Sequence, residues 1–292
     1  MQLSLDSESI SYSLLKRKSS SVTNTESSYE SLIAHNLDKY YHPASILKLF
    51  TAVILEDQYL GGASMMDLKD IKKIESERSL KKALIASIQD SDNDALAYII
   101  DVLSPFKADY NFLAENDLED LVLERQSINL FFQSRGFSSQ INVANKCFGF
   151  DYYGKEEQLL ERLGVNKITA QDLIDLLVMI EAAYPKTFKA MHRKLSLENA
   201  ASEDTKKEIP SSIINTQDYQ IESFAGKLIR NKLQIKEIYS KAGWTSKVRH
   251  DAVIFDYQDA RYILIVMTEG FSNSPELLQK LAEFMLKDLE TP

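Results

Sequence analysis

Tyr41-His42-Pro43-Ala44-Ser45-Ile46-Leu47-Lys48-Leu49-Phe50 is the stretch on which the fold turns. Pro43 suits the first turn of a helix, where its missing N–H would have had no intrahelical partner. Ile46, Leu47, Leu49, Phe50, Val53 and Ile54 then supply apolar surface on nearly every side, so the helix is expected inside the molecule. Two polar residues interrupt this apolar cylinder. Ser45 and Lys48 are three apart and project from one face about one turn apart, with Ser45 at the positive, N–H-rich end. A lysine held there is partly desolvated, which lowers its pKa and lets it act as a base toward the hydroxyl beside it. Ser-x-x-Lys at a buried helix start therefore reads as a nucleophile and its activator.

The same spacing recurs at Ser13–Lys16, Ser79–Lys82 and Ser104–Lys107, where nothing calls for a chemical explanation. The Ser45 copy differs because it opens an apolar helix and because Ser91-Asp92-Asn93 and Lys241-Ala242-Gly243 follow it in order. This set resembles the Ser-x-x-Lys, Ser-Asp-Asn and Lys-Thr-Gly motifs of class A β-lactamases and penicillin-binding proteins, with alanine for threonine in the third. Each element has a plainer reading when taken alone. Ser91-Asp92-Asn93 would be a helix-capping loop, Lys241 a solvated edge-strand lysine, Gly243 a bulge, and Trp244 the cover of a core edge. Their order on suitable elements favours the family.

The resemblance implies a serine hydrolase that transfers an acyl group from a β-lactam or peptidoglycan-type amide to Ser45. It implies catalytic roles for Ser45, Lys48, Ser91 and Lys241. Lys48 would take the serine proton, Ser91 would relay a proton to the departing nitrogen, and Lys241 would supply positive charge. Substrate-binding roles fall to Asn93, Gly243, Trp244 and Arg249. Asn93 would hold the substrate amide and Lys48, and Gly243 would admit the ligand close to the strand. The backbone N–H groups of Ser45 and Trp244 would form the oxyanion hole, and Arg249 would compensate for the threonine missing at Ala242 in binding a carboxylate. No cofactor is implied. The family's fold is an antiparallel sheet with flanking helices and an inserted helical lobe, in a bacterial setting with substrates outside the cytoplasm.

The sequence departs from class A enzymes at deacylation. Their Glu-x-x-Leu-Asn loop should follow soon after Gly136, but Asn142-Val143-Ala144-Asn145-Lys146-Cys147 contains no acid. Asp151, Glu156 and Glu157 are the nearest substitutes, so weak deacylation is expected. The runner-up readings are a DD-peptidase-like penicillin-binding protein and a catalytically inactive descendant that binds a ligand or partner through the same cleft.

Composition narrows the classes. With 292 residues, 44% of them hydrophobic, the chain can bury a full core in one large domain or two joined lobes. A net charge of −9, with no basic cluster among aromatics, disfavours nucleic acid and anionic membranes as partners. Cys147 is the one cysteine, which excludes an intrachain disulfide, and His35, His42, His192 and His250 lack metal-ligand spacing, so no metal is predicted. No apolar run approaches the roughly 20 residues of a membrane span. The N-terminus has no signal-peptide pattern, so a periplasmic or extracellular location requires an export signal trimmed before Met1, and a native start there means the cytoplasm. Oligomeric state is not legible.

Architecture follows from periodicity. Ile10–Leu15 and Tyr29–His35 read as a hairpin around a polar turn from Ser19 to Ser28. Helices are predicted over Asp67–Gln89, Ala95–Leu103, Asn116–Arg135 and Leu173–Tyr184, the last capped by Thr169 with Asp172 three residues on. Ser138–Gly164 has no clear pattern, and Ser196–Pro210 is the most polar part of the region before about Arg230. Glu237–Lys241 enters a strand, Ala252–Tyr257 and Arg261–Met267 form a second hairpin, and Pro275 starts a terminal helix. Strands at both ends and helices between them predict an α/β sandwich of residues 1–50 and 236–292, with residues 51–235 as the inserted helical lobe.

Overall fold

The computed structural model describes residues 8–18, 28–61, 77–106, 112–147, 153–193, 229, 233, 235 and 237–289. The expected turn at 19–28, the first part of the helix expected from Asp67, Asp151 and the Ser196–Pro210 region lie wholly or largely outside the described residues. Contact density divides the chain into two compact units, 1–39 with 191–292, and 40–190. The sequence predicts divisions at 50/51 and 235/236; the second falls earlier because His192 and Arg193 pair with Tyr239 and Ile238 in the sheet. The first boundary falls earlier because the Ser45 helix packs on the helices that follow it.

The first unit is built on one antiparallel sheet whose strands come from both ends of the chain. Its strands are β1 (Ile10–Arg17), β2 (Tyr29–His35), β5 (His192–Arg193), β6 (Ile238–Trp244), β7 (Val248–Tyr257) and β8 (Ala260–Glu269). Their order is β2-β1-β8-β7-β6-β5. Both predicted hairpins are present, with Leu14 opposite Ile33 and Val253 opposite Leu264. Gln258 and Asp259 turn the second one with φ of 47° and 59°, the left-handed pair that matches strand twist in a two-residue loop. Alternation sends Leu14, Val253, Phe255, Leu264 and Val266 to one face, where they pack with Leu277, Leu278, Leu281 and Met285 of the terminal helix (Pro275–Leu286). Full burial of such side chains contributes about 1.5–3 kcal/mol each, which anchors that helix.

The second unit is helical, with α1 (Leu47–Tyr59), α2 (Glu77–Ile85), α3 (Asn93–Leu103), α4 (Glu115–Gln133), α5 (Lys155–Leu163), α6 (Ala170–Ala183) and α7 (Pro185–Ala190); the terminal helix of the first unit is α8. A two-stranded ribbon, β3 (Tyr40–Tyr41) with β4 (Ile168–Thr169), joins distant parts of this unit. Every residue of α1 from Leu47 to Asp57 is buried, as its all-round apolar surface requires. Phe50 stands at its centre, edge-on to Phe132 at 5.0 Å and Phe137 at 6.3 Å between ring centroids. Glu56 is buried near the end of α1 because its carboxylate accepts the backbone N–H groups of Lys186 and Thr187 at 2.9 and 2.7 Å, the open donors that begin α7. The capping box at Thr169 and Asp172 forms as predicted and starts α6. Helix α5 occupies part of the segment in which periodicity showed no pattern. Among the described residues no helix is long and apolar enough to cross a membrane.

Candidate active site

Ser45 does not sit in the first turn of the α-helix itself. Pro43 leads into a 3-10 turn, Ala44–Ile46, and α1 begins at Leu47. The tighter turn follows from Ala44, whose φ of 49° is unusual for a residue with a Cβ and is held by its N–H donating to His42 Nδ1 at 3.1 Å. Backbone strain of this kind, of order 1–3 kcal/mol, is retained where surrounding structure enforces it.

One turn on, Lys48 is completely buried. Its Nζ lies 3.1 Å from Ser45 Oγ, 2.6 Å from the Ser91 carbonyl oxygen, 3.2 Å from Ser91 Oγ and 2.7 Å from Asn93 Oδ1. Desolvation lowers its pKa from 10.5 to about 8, against smaller raising influences from Cys147 and Asp92. The two carbonyl oxygens can only accept, so they take two N–H groups. What remains of the amine faces two hydroxyls. In the neutral form that remainder is a lone pair able to receive a proton.

Ser91 and Asn93 reach Lys48 because the backbone around them is irregular. After α2, residues Ala86–Asp90 form a π-helical turn, a feature that recurs at functional sites. Ser91 closes it in the left-handed conformation, φ 55° and ψ 33°. Asp92 then caps α3, its Oδ1 accepting from Asp94 N at 2.8 Å and Ala95 N at 3.2 Å. In this motif the serine and asparagine hold the lysine while the aspartate starts the helix. Sequence spacing identified all four residues; neither the π-turn nor the left-handed serine had a glycine or proline to mark it.

Cys147, at the end of the segment 142–147, lies near enough to Lys48 for the two groups to influence each other's titration. Cys147 is half-buried, hydrogen-bonded with the Asn166 side chain, and pushed up to about 11 by burial despite the opposing influence of Lys48. Its proximity to Lys48 was not legible, because 99 residues separate them and a lone cysteine carries no pattern.

Lys241, Gly243, Trp244 and Arg249 lie in the sheet unit. Register pairs Ala242 with Asp251, Gly243 with His250 and Trp244 with Arg249 on β6 and β7. Alternation therefore places Lys241 and Gly243 on one face, and Trp244 and Arg249 together on the opposite one. Lys241 is fully buried and its Nζ donates to the Ala242 carbonyl at 3.0 Å. The Arg249 guanidinium is buried and stacks 4.8 Å from the ring of Trp244, which stays 48% exposed. Among the described residues no three His, Cys, Asp or Glu side chains gather to hold a metal ion.

The fold recurs in solved enzymes. A β-lactamase from Sphaerobacter thermophilus shares 15% identity over 97% of this chain and 93% of its own, with a TM-score of 0.57. A D-alanyl-D-alanine carboxypeptidase from Francisella tularensis shares 12% over 99% of this chain and 72% of its own, at 0.56. Penicillin-binding protein D2 from Listeria monocytogenes, in its cefotaxime-bound form, shares 17% over 98% of both chains, at 0.50. No curated protein sequence matches the chain. The model of the Beta-lactamase enzyme family matches residues 13–287, which spans all three motifs. Matched over that length, the chain is a member of the β-lactamase enzyme family and a β-lactamase-like serine hydrolase.

Proposed function

We infer that the protein takes acyl groups from β-lactams or peptidoglycan-type amides onto Ser45 and releases them slowly. The observation that carries this reading is the buried Lys48 amine, 3.1 Å from Ser45 Oγ, with Ser91 O and Asn93 Oδ1 engaging two of its N–H groups. Neutral Lys48 accepts the proton of Ser45 as Oγ attacks the acyl carbon. The Ser91 hydroxyl, 3.2 Å from the same amine, gives its proton to the leaving nitrogen as the bond to the acyl carbon breaks and receives one from protonated Lys48, which returns to the neutral amine. Lys241, Gly243, Trp244 and Arg249 enter the proposal on motif order and on their places in β6 and β7. Lys241 contributes positive charge, Gly243 admits the ligand backbone, and the Trp244 N–H joins that of Ser45 as an oxyanion donor. Arg249 takes the carboxylate that a threonine at 242 would have helped to bind. The substrate class draws on the related folds, one solved with cefotaxime bound and one a D-alanyl-D-alanine carboxypeptidase.

Slow release is supported by what faces Lys48 among the described residues, from which Asp151 is absent. The segment that approaches it presents a protonated thiol instead of a carboxylate. Glu156 has both oxygens engaged by Arg125, with Lys146 sharing one, and Glu157 is exposed on α5. A matched general base contributes about 100- to 10,000-fold, so without one the acyl-enzyme accumulates and the protein behaves as a penicillin-binding, DD-peptidase-like enzyme. Stopped-flow hydrolysis of a chromogenic cephalosporin should give a burst near one equivalent of enzyme and then a slow phase. Sustained turnover above about 10 per second, the median enzyme rate, would contradict slow release, and loss of that turnover in Glu157→Gln would identify a base.

A further inference from the structure

Three buried charges, Arg125, Lys146 and Glu156, and an exposed fourth, Asp101, gather at the segment that carries Cys147. Arg125 on α4 is almost completely buried, and its two terminal nitrogens meet Glu156 of α5 at 2.8 and 3.4 Å. One of them also donates to the Ala144 carbonyl at 2.9 Å. Lys146 Nζ lies 2.6 Å from Asp101 Oδ1 on α3 and 3.2 Å from Glu156 Oε1. Asp101 sits 3.6 Å from Arg125 as well, so two cations and two carboxylates close on one another with their charges balanced. Such a network stabilises little by itself, because desolvation of the ions offsets most of their attraction. What it does provide is a fixed geometry.

That geometry converges on Lys48 from two sides. Helix α3 carries Asp101 in its interior and Asn93, an acceptor for Lys48, at its first residue. Lys146 immediately precedes Cys147, whose neutral thiol lies near Lys48 and helps to bury it. Opposite the ions, the segment is tied by amides. Asn166 accepts from Asn145 N at 3.0 Å and donates to Asn145 O at 2.9 Å, and Asn142 Nδ2 donates to the carbonyls of Leu163, Gly164 and Val165. Asparagines thus hold one flank and ions the other.

We propose that Arg125 and Glu156, with Lys146 and Asp101, are positioning residues that hold the Asn145–Cys147 segment against Lys48 and so set the conditions under which Lys48 accepts a proton. The acylation half of the test rests on the function inferred above; the thiol half does not. Cys147 is the only cysteine, so alkylation by iodoacetamide reports its surroundings without interference. The test compares wild type with Arg125→Met/Glu156→Met, in which a buried ion pair becomes a buried apolar pair of similar volume, a replacement that often preserves stability. The charge-retaining Glu156→Asp serves as the conservative variant.

With thermal stability within a few degrees of wild type, the double variant should alkylate at Cys147 at least tenfold faster. Its acylation by a fluorescent penicillin should be slowed at least tenfold, with a pH midpoint displaced by half a unit or more, and Glu156→Asp should fall between. A folded double variant with unchanged alkylation rate and unchanged acylation profile would overturn the proposal and leave the network a packing feature. If the double variant does not fold, Glu156→Asp and Lys146→Met decide on the same readouts. Faster alkylation in a protein whose wild type is not acylated at all would support the positioning role while rejecting the acyl-transfer reading.

Discussion

Lys48 decides the chemistry at the scale of single residues. In the unfolded chain its pKa is near 10.5, and in the native protein about 8, the difference arising mainly from desolvation. A depressed lysine pKa means that burying the charged form is unfavourable, by about 3 kcal/mol at about 1.4 kcal/mol per unit. That penalty stands in full below pH 8. Between about 8 and 10.5 the unfolded chain holds a proton that the native state has released, so this group's contribution makes stability rise with pH across that window. At pH 7 about a tenth of the molecules carry the neutral amine. The acylation rate constant should therefore rise about tenfold per unit below pH 8 and level off above it. Lys48→Ala should eliminate acylation, while Lys82→Ala on the exposed side of α2 and Lys16→Ala on β1 leave it unchanged. Rates measured against a fluorescent penicillin from pH 5 to 10 check this. A flat profile, or equal losses in the three variants, would remove Lys48 as the base.

At the scale of elements, the site depends on how the chain enters and leaves α1 and α3. Asp92 contributes two of the hydrogen bonds that start α3, and helix caps of this kind are worth about 1 kcal/mol. Asp92→Ala should lower the free energy of unfolding by about that amount in urea titration and also slow acylation, because Asn93 and Ser91 lose the frame that aims them at Lys48. A stability loss with unchanged acylation would mean that Lys48 alone fixes their positions. Much of this level was legible. The Thr169–Asp172 capping box, the hairpin at Gln258–Asp259, Pro275 at a helix start and the apolar α1 each carry a local chemical mark. The unmarked features are those in which tertiary contacts override local preference. Ala44 and Ser91 adopt left-handed backbone without glycine, and Arg125, Lys146 and Glu156 meet through contacts up to 31 residues apart that no periodicity encodes. Cys147 had no pattern by which to be connected with Lys48.

Across the whole molecule, the three motifs are divided between the two compact units, Ser45 and Ser91 in one and Lys241 in the other, 150 residues beyond Ser91. Strands at both termini with helices between were enough to read five of the sheet's six strands from sequence; β5, two residues long and inside the stretch read as helical lobe, carries no alternation to mark it. The unit boundary at Tyr40 was not, because the ribbon of β3 with β4 is two residues long and pairs Tyr40 with Thr169. The inferred role of Lys241 is testable without reference to geometry. Lys241→Ala should reduce acylation by about 100-fold or more, on the scale of losing one preorganised electrostatic group, with folding judged by circular dichroism. An unchanged rate would take β6 out of the reaction. The claim on which everything else depends is that Ser45 becomes acylated. Intact-mass and peptide analysis of the wild type after exposure to benzylpenicillin should find one adduct, on the peptide containing Ser45, and none in a folded Ser45→Ala variant. An adduct on another residue, or one that persists in Ser45→Ala, would contradict the account.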